Sequence, residues 1–139
     1  QFGGNSVHAF KDSSGVRYYV GALKNRILYL KKMVPDAAIV LIGPSDMSRL
    51  NEGVFESYPL LPYTVDRMRK MCAEPGVAFW DLFSAMGGLN SMPAWVSQGL
   101  AGKDYVHFSP RGASIASQHF YEALMTAYTE WASKKSVQP

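Results

Sequence analysis

Apolar residues at Val16, Val20, Leu23, Ile27, Leu30 and Val34 follow a 4-3-4-3-4 spacing, which places them on one face of a long helix. Ser13 or Ser14 stands ahead of that stripe as the candidate N-cap, and Pro35-Asp36 stops it. The pattern then changes. Ala37 to Ile42 is a continuous apolar run halted by Gly43-Pro44, which predicts a strand buried on both faces of a parallel sheet. The polar stretch from Ser45 to about Tyr58 reads as a loop. Leu61, Val65, Met68 and Cys72 predict a second helix, ended by Pro75-Gly76, and Val77 to Phe83 predicts a second strand, broken by Gly87-Gly88. Asn90 to Lys103 reads as a loop with one helical turn around Met92 to Val96. Ser109 as N-cap and Pro110 at the first helical position open a last helix. Its stripe is Ala113, Ala116, Phe120, Leu124, Ala127 and Trp131, and the tail Ser133 to Pro139 should fray.

Helices alternating with buried strands imply an α/β chain with a parallel sheet covered on both faces. Two strands are too few for such a sheet. The long helices would have little to cover, and a bare inner edge would stay open. The expectation is that N-terminal strands are missing from this chain or come from another one. The chain starts at Gln1 without an initiator Met, which reads as an internal start. Its 139 residues suit one domain or a large piece of one.

With 47% apolar and 18% charged residues, the chain can bury a sizeable core. The net charge of +3 is small, and Lys31-Lys32 and Lys134-Lys135 read as solvated helix faces, so no nucleic-acid partner is expected. Cys72 is the sole cysteine, which excludes an internal disulfide and reads as a small core residue. No Cys/His spacing suits zinc, so neither a metal nor a cofactor is expected. No apolar run approaches the roughly 18 to 20 residues of a membrane span. No signal peptide is visible either, which says little about where the protein works.

A site in an open parallel sheet lies at the carboxyl ends of its strands. Three segments fall there: Gly3-Gly4-Asn5-Ser6, Gly43-Pro44-Ser45-Asp46, and the loops after Phe83 that lead to His107. The last holds the most telling stretch, Asp104-Tyr105-Val106-His107. A carboxylate three residues before a histidine can fix its tautomer and stabilise the imidazolium, which is the general-base half of a nucleophilic hydrolase. His8 and His119 have no carboxylate at such a spacing and read as structural or surface residues. The chain contains no Gly-Asp-Ser and no Gly-x-Ser-x-Gly elbow, so the activated serine is not visible.

Taken together, Gly3-Gly4-Asn5 and Asp104-Tyr105-Val106-His107 resemble the third and fourth blocks of SGNH (GDSL-type) esterases. The stretch Met86-Gly87-Gly88-Leu89-Asn90-Ser91-Met92, with Trp95 and Gly99-Leu100-Ala101, is similar to a bacterial branch of that family acting on acetylated cell-surface glycans. The resemblance runs over essentially the whole chain. It implies that residues 1–139 are the C-terminal portion of a single SGNH domain, a flavodoxin-like three-layer sandwich. It further implies that His107 is base and then acid, that Asp104 orients it, and that the Asn5 side-chain amide is one oxyanion donor. Gly4, Asn90 and Ser91 are candidate substrate contacts, and Ser45 and Asp46 are candidate pocket-wall residues from their place after the first strand. The third block often continues Asn-Asp, whereas Ser6 follows Asn5 here. The expected partner is a small-molecule or glycan ester, with the missing N-terminal segment or a second copy of the chain covering the open sheet edge. An extracytoplasmic location rests on the resemblance alone. Without its serine the chain should be inactive by itself. The alternative is a catalytically inactive module of the same fold that binds a glycan or a partner.

Overall fold

The computed structural model describes residues 2–136. The elements in chain order are α1 (Gly4–Val7), α2 (Ser13–Met33), β1 (Val40–Ile42), β2 (Ser48–Asn51), β3 (Val54–Ser57), α3 (Leu61–Ala73), β4 (Ala78–Trp80), α4 (Leu82–Ala85), α5 (Met92–Ser97) and α6 (Pro110–Ser136). β1 and β4 form a small parallel sheet in the register Val40↔Ala78, Leu41↔Phe79, Ile42↔Trp80. The fold is therefore mixed α/β, as the alternation of helices and apolar runs predicts.

The stripe on α2 packs as its spacing requires. Val16, Val20, Leu23 and Ile27 join Leu41 of β1 and Met68, Met71 and Cys72 of α3 in one buried cluster. The cap is Asp12 rather than Ser13 or Ser14. Its extended backbone lets one carboxylate oxygen accept from both Ser14 N–H, at 2.8 Å, and Gly15 N–H, at 3.2 Å. The stripe is buried only as far as Ile27, because Leu30 and Val34 remain half exposed.

Three stretches differ from the pattern reading. The run Ala37–Ile42, expected as a strand buried on both faces, is a strand only from Val40, and Ala37, Ala38 and Val40 are exposed because no further strand or helix covers them among the described residues. The expected polar loop from Ser45 to Tyr58 contains an antiparallel hairpin, β2 paired with β3, in which Leu50 faces Phe55 and Arg49 faces Glu56. Its two-residue turn, Glu52-Gly53, has φ of 47° and 85°. Positive φ at both positions is the type I′ geometry whose twist matches the flanking strands, and the Gly after a polar residue was the available signal. The expected strand Val77–Phe83 is cut short after Trp80. Asp81 caps α4 by accepting from Ser84 N–H at 3.0 Å, and Arg69 pairs with its other oxygen. Leu82 and Phe83 therefore enter the core from a helix.

The opening of α6 follows the sequence reading. Ser109 Oγ accepts from Gly112 N–H at 3.2 Å, and the Ser109 carbonyl accepts from Ala113 N–H at 2.8 Å. The first half of α6 is anchored by Ala116, buried with Leu82, Met86, Met92 and Trp95, and by Phe120, edge-on to Trp80 at 5.0 Å. Beyond Phe120 the stripe emerges, with Leu124 and Trp131 about half exposed. Ser133 to Ser136 are helical rather than frayed. The rest of the expected tail, 137–139, lies outside the described residues.

Candidate active site

Asp104 and His107 sit on a tight turn that the local sequence builds. Ala101 bridges to Phe108, and Gly102 N–H donates to the His107 carbonyl at 2.8 Å, which closes the base of the turn. At its crest Tyr105 takes φ of 59°, a left-handed conformation costly for an aromatic residue. That twist folds the Asp104 carboxylate back over the chain. Oδ1 accepts from Val106 N–H at 3.0 Å and from His107 N–H at 3.1 Å, while Oδ2 meets His107 Nδ1 at 2.8 Å. An ionised carboxylate can only accept, so Nδ1 carries the proton of this contact, and in the neutral ring the lone pair is left to Nε2.

The hairpin holds this crest. Phe55 stacks on Tyr105 with centroids 3.5 Å apart and planes 7° from parallel, and Ser48 N–H donates to the Tyr105 carbonyl at 2.9 Å. The hairpin is fixed in turn at its base. Ser57 Oγ donates to Asp46 Oδ1 at 2.5 Å, Ser57 N–H donates to Asn90 Oδ1 at 2.8 Å, and Met92 N–H donates to Asp46 Oδ2 at 2.8 Å. Asp46 is fully buried in that junction.

The His107 hydrogen bond, with the two backbone N–H groups behind it, holds the Asp104 carboxyl down at about 2. A carboxyl depressed in the folded state stabilises the fold above its unfolded pKa, near 3.8, and loses that contribution as pH falls through about 2. The side chain is half exposed, so solvent screening keeps the stability effect small. A carbon-detected NMR titration should find Asp104 ionised down to about pH 2 and still accepting from His107 throughout the neutral range. Titration at an ordinary carboxylate value would mean the turn does not hold the pair together.

On the other side of the cavity, Gly3 has φ of 105° and opens α1. A Cβ there would also press on Pro44 at 3.3 Å, so this position needs glycine. The turn carries Asn5 on the first turn of α1. Phe2, Gly3, Gly4, Asn5, Ser6, Tyr19, Ser45, Met47, Val106, His107 and Phe108 line one cavity of about 490 Å³. Burial pushes the half-buried Tyr19 hydroxyl above its ordinary value, even though the Ser6 hydroxyl and Gly3 backbone oppose this. Cys72 lies in the core, where burial pushes its thiol up to about 11, so it offers no thiolate at neutral pH.

No protein-family model matches the chain, and no curated protein does. Solved structures do match. A peptidoglycan O-acetylesterase superposes with a TM-score of 0.80 at 25% identity over 92% of this chain. The chain has an esterase-like fold. The esterase domain of an ORF1 protein from a zebrafish retrotransposon shares that fold with a TM-score of 0.56, at 22% identity over 80% of this chain. The esterase-like chain spans 36% of the first of these proteins and 60% of the second. These neighbours are consistent with the SGNH-esterase resemblance carried by residues 3–5 and 104–107.

Of the residues singled out from the sequence, the esterase-like chain brings Gly4, Asn5, Ser45 and His107 to one cavity, with Asp104 behind His107. Asp46, Asn90 and Ser91 are not on its wall. They form the junction that anchors the hairpin, with Ser91 Oγ 3.4 Å from Asp46 Oδ2. Ser6 and Ser45 line the cavity, yet neither hydrogen-bonds to His107 among the described residues. Tyr19 and Met47 line it too, and sequence reasoning missed both. Tyr19 sits outside the apolar stripe of α2, and Met47 lies in the stretch read as loop.

Proposed function

We propose that this chain is the acid–base half of a serine ester hydrolase that removes O-acyl groups, acetyl on a carbohydrate being the preferred class. The observation that carries the reading is the Asp104–His107 pair, with His107 opening onto the same cavity as Asn5. The name of the structural neighbour, a peptidoglycan O-acetylesterase, supports the substrate class. The nucleophilic serine comes from a segment outside these residues. Exposed apolar positions at Val40 on the β1 edge, Leu30 and Val34 on α2, and Leu124 and Trp131 on α6 support further strands there. Those strands would complete the three-layer sandwich.

In this mechanism His107 Nε2 takes the serine proton as the oxygen attacks the ester carbonyl. The Asn5 amide donates to the oxyanion that develops, and Asp104 stabilises the imidazolium. His107 then returns the proton to the leaving sugar hydroxyl. A water attacks the acyl-serine by the same steps, releasing the carboxylic acid and restoring the serine. The 139 residues alone hold base, orienter and one donor, and are inactive.

The test is a fluorophosphonate serine probe applied to the complete protein, together with an assay for acetate release from O-acetylated glycan. One labelled serine and released acetate are expected. No label and no acetate, with glycan binding retained, would replace this reading with a binding module.

A further inference from the structure

A second, smaller cavity of about 250 Å³ lies where the end of α1 and the loop after it meet β2 and the segment leading into α3. Its wall carries the cationic Lys11 and Arg49, the imidazole of His8 and the ring of Tyr58, and no carboxylate. The cations there are poorly matched. Arg49 has one carboxylate neighbour, Glu56 across the hairpin, at 3.9 Å and well exposed. Its guanidinium lies 6.0 Å over the Tyr58 ring, which also lines the cavity. Lys11 and His8 form no ion pair and no side-chain hydrogen bond among the described residues. Asp12, next to Lys11 in sequence, is already engaged as the cap of α2 and is not on the wall. The carbonyls at the end of α1 are also taken, Ser6 by Ala9 N–H at 3.0 Å and Val7 by Phe10 N–H at 3.2 Å.

This cavity adjoins the active-site cavity along two chain segments at once. Residues 4–6 line the larger one and Val7 and His8 the smaller. Met47 lines the larger one and Arg49 the smaller, two residues further along an extended segment. Two residues of extended chain span about 7 Å, so along this segment the two cavities are immediate neighbours. An Arg fork beside a lysine and an imidazole N–H is a donor set suited to an oxyanion.

We propose that the cavity of His8, Lys11 and Arg49 is a subsite for an oxyanion, carboxylate or phosphate, carried by a part of the substrate adjoining the acylated unit. Its link to substrate rests on the ester-hydrolase reading; its preference for an oxyanion does not. The hydrolase would then favour acidic over neutral acylated glycans by holding the charged group while the ester meets His107.

Saturation-transfer NMR on the complete protein, with glucuronate, glucose 6-phosphate and glucose as separate probes, tests it. At least one anion should bind about fivefold more tightly than glucose, the scale of one exposed charge pair. The double variant Lys11→Gln/Arg49→Gln should remove that preference, while Arg49→Lys keeps most of it. A preference for glucuronate assigns the carboxylate, and one for glucose 6-phosphate assigns the phosphate. Equal binding of glucose and both anions, or an undiminished preference in the double variant, would overturn the subsite. His107→Ala should leave the preference intact, so a failure of the hydrolase reading registers separately.

Discussion

Replacing His107 with Ala in the complete protein should lower kcat/KM for acetyl-ester hydrolysis by about 10³- to 10⁴-fold, the range for a base that also serves as the acid. In the proposed mechanism the imidazole accepts the nucleophile's proton and later gives it to the leaving hydroxyl, and no other histidine lines the cavity. Its side chain is 78% exposed, so truncation removes little packing and the melting temperature should hardly move. That combination separates a chemical loss from a folding loss. Removing the Asn5 amide should cost less, about 10²- to 10³-fold, as one of several oxyanion donors. Undiminished hydrolysis by the His107→Ala protein would exclude this turn from the chemistry.

Gly112→Ala should be the most destabilising single methyl group that can be added near the site. Gly112 lies in the first turn of α6, where that turn presses onto the backbone of Leu100. A Cβ there would fall on the Leu100 carbonyl oxygen and within 2.8 Å of its carbon. Backbone cannot swing aside as a side-chain tip can. Leu100 is also tied down, since its carbonyl accepts from Ser109 N–H at 3.0 Å and Ser109 Oγ donates to the Gly99 carbonyl at 2.8 Å. The helix start or the 100–109 loop must therefore move. The expected loss is about 3 kcal/mol, at the upper end for overpacking a tight contact, with a fall in melting temperature of about 10 °C. Because the same loop carries Asp104 and His107, the variant should also lose hydrolysis more steeply than its stability loss predicts. A thermal melt within a degree or two of wild type would show that the contact relaxes freely.

Much of this architecture is legible from one-dimensional pattern. The stripe Val16 to Ile27, the run ending at Ile42, the stripe Leu61 to Cys72 and the Ser109-Pro110 start each state a period or a cap in local terms, and each is an element of the fold. The Asp104–His107 spacing is equally local, since three residues on one turn suffice for the contact. The hairpin was hidden because its outward-facing strands carry exposed polar residues such as Arg49 and Asn51, which blur the alternation that marks a strand. The end of β4 was hidden because Leu82 and Phe83 are apolar in strand and helix alike. What decides between them is the Asp81 cap and its Arg69 partner, which lies 12 residues away.

The sequence by itself determined the three long helices, the parallel pairing of two apolar runs and the turn that joins a carboxylate to a histidine. Each of these depends on side-chain periodicity or on contacts within a few residues. Only the tertiary structure decided that Asn5 and His107, 102 positions apart, face one cavity, that Asp46 is a buried anchor, and that Phe55 clamps Tyr105. It also decided that His8, Lys11 and Arg49 share one wall. Those relations arise where separate segments pack, and no local spacing encodes the distance between them.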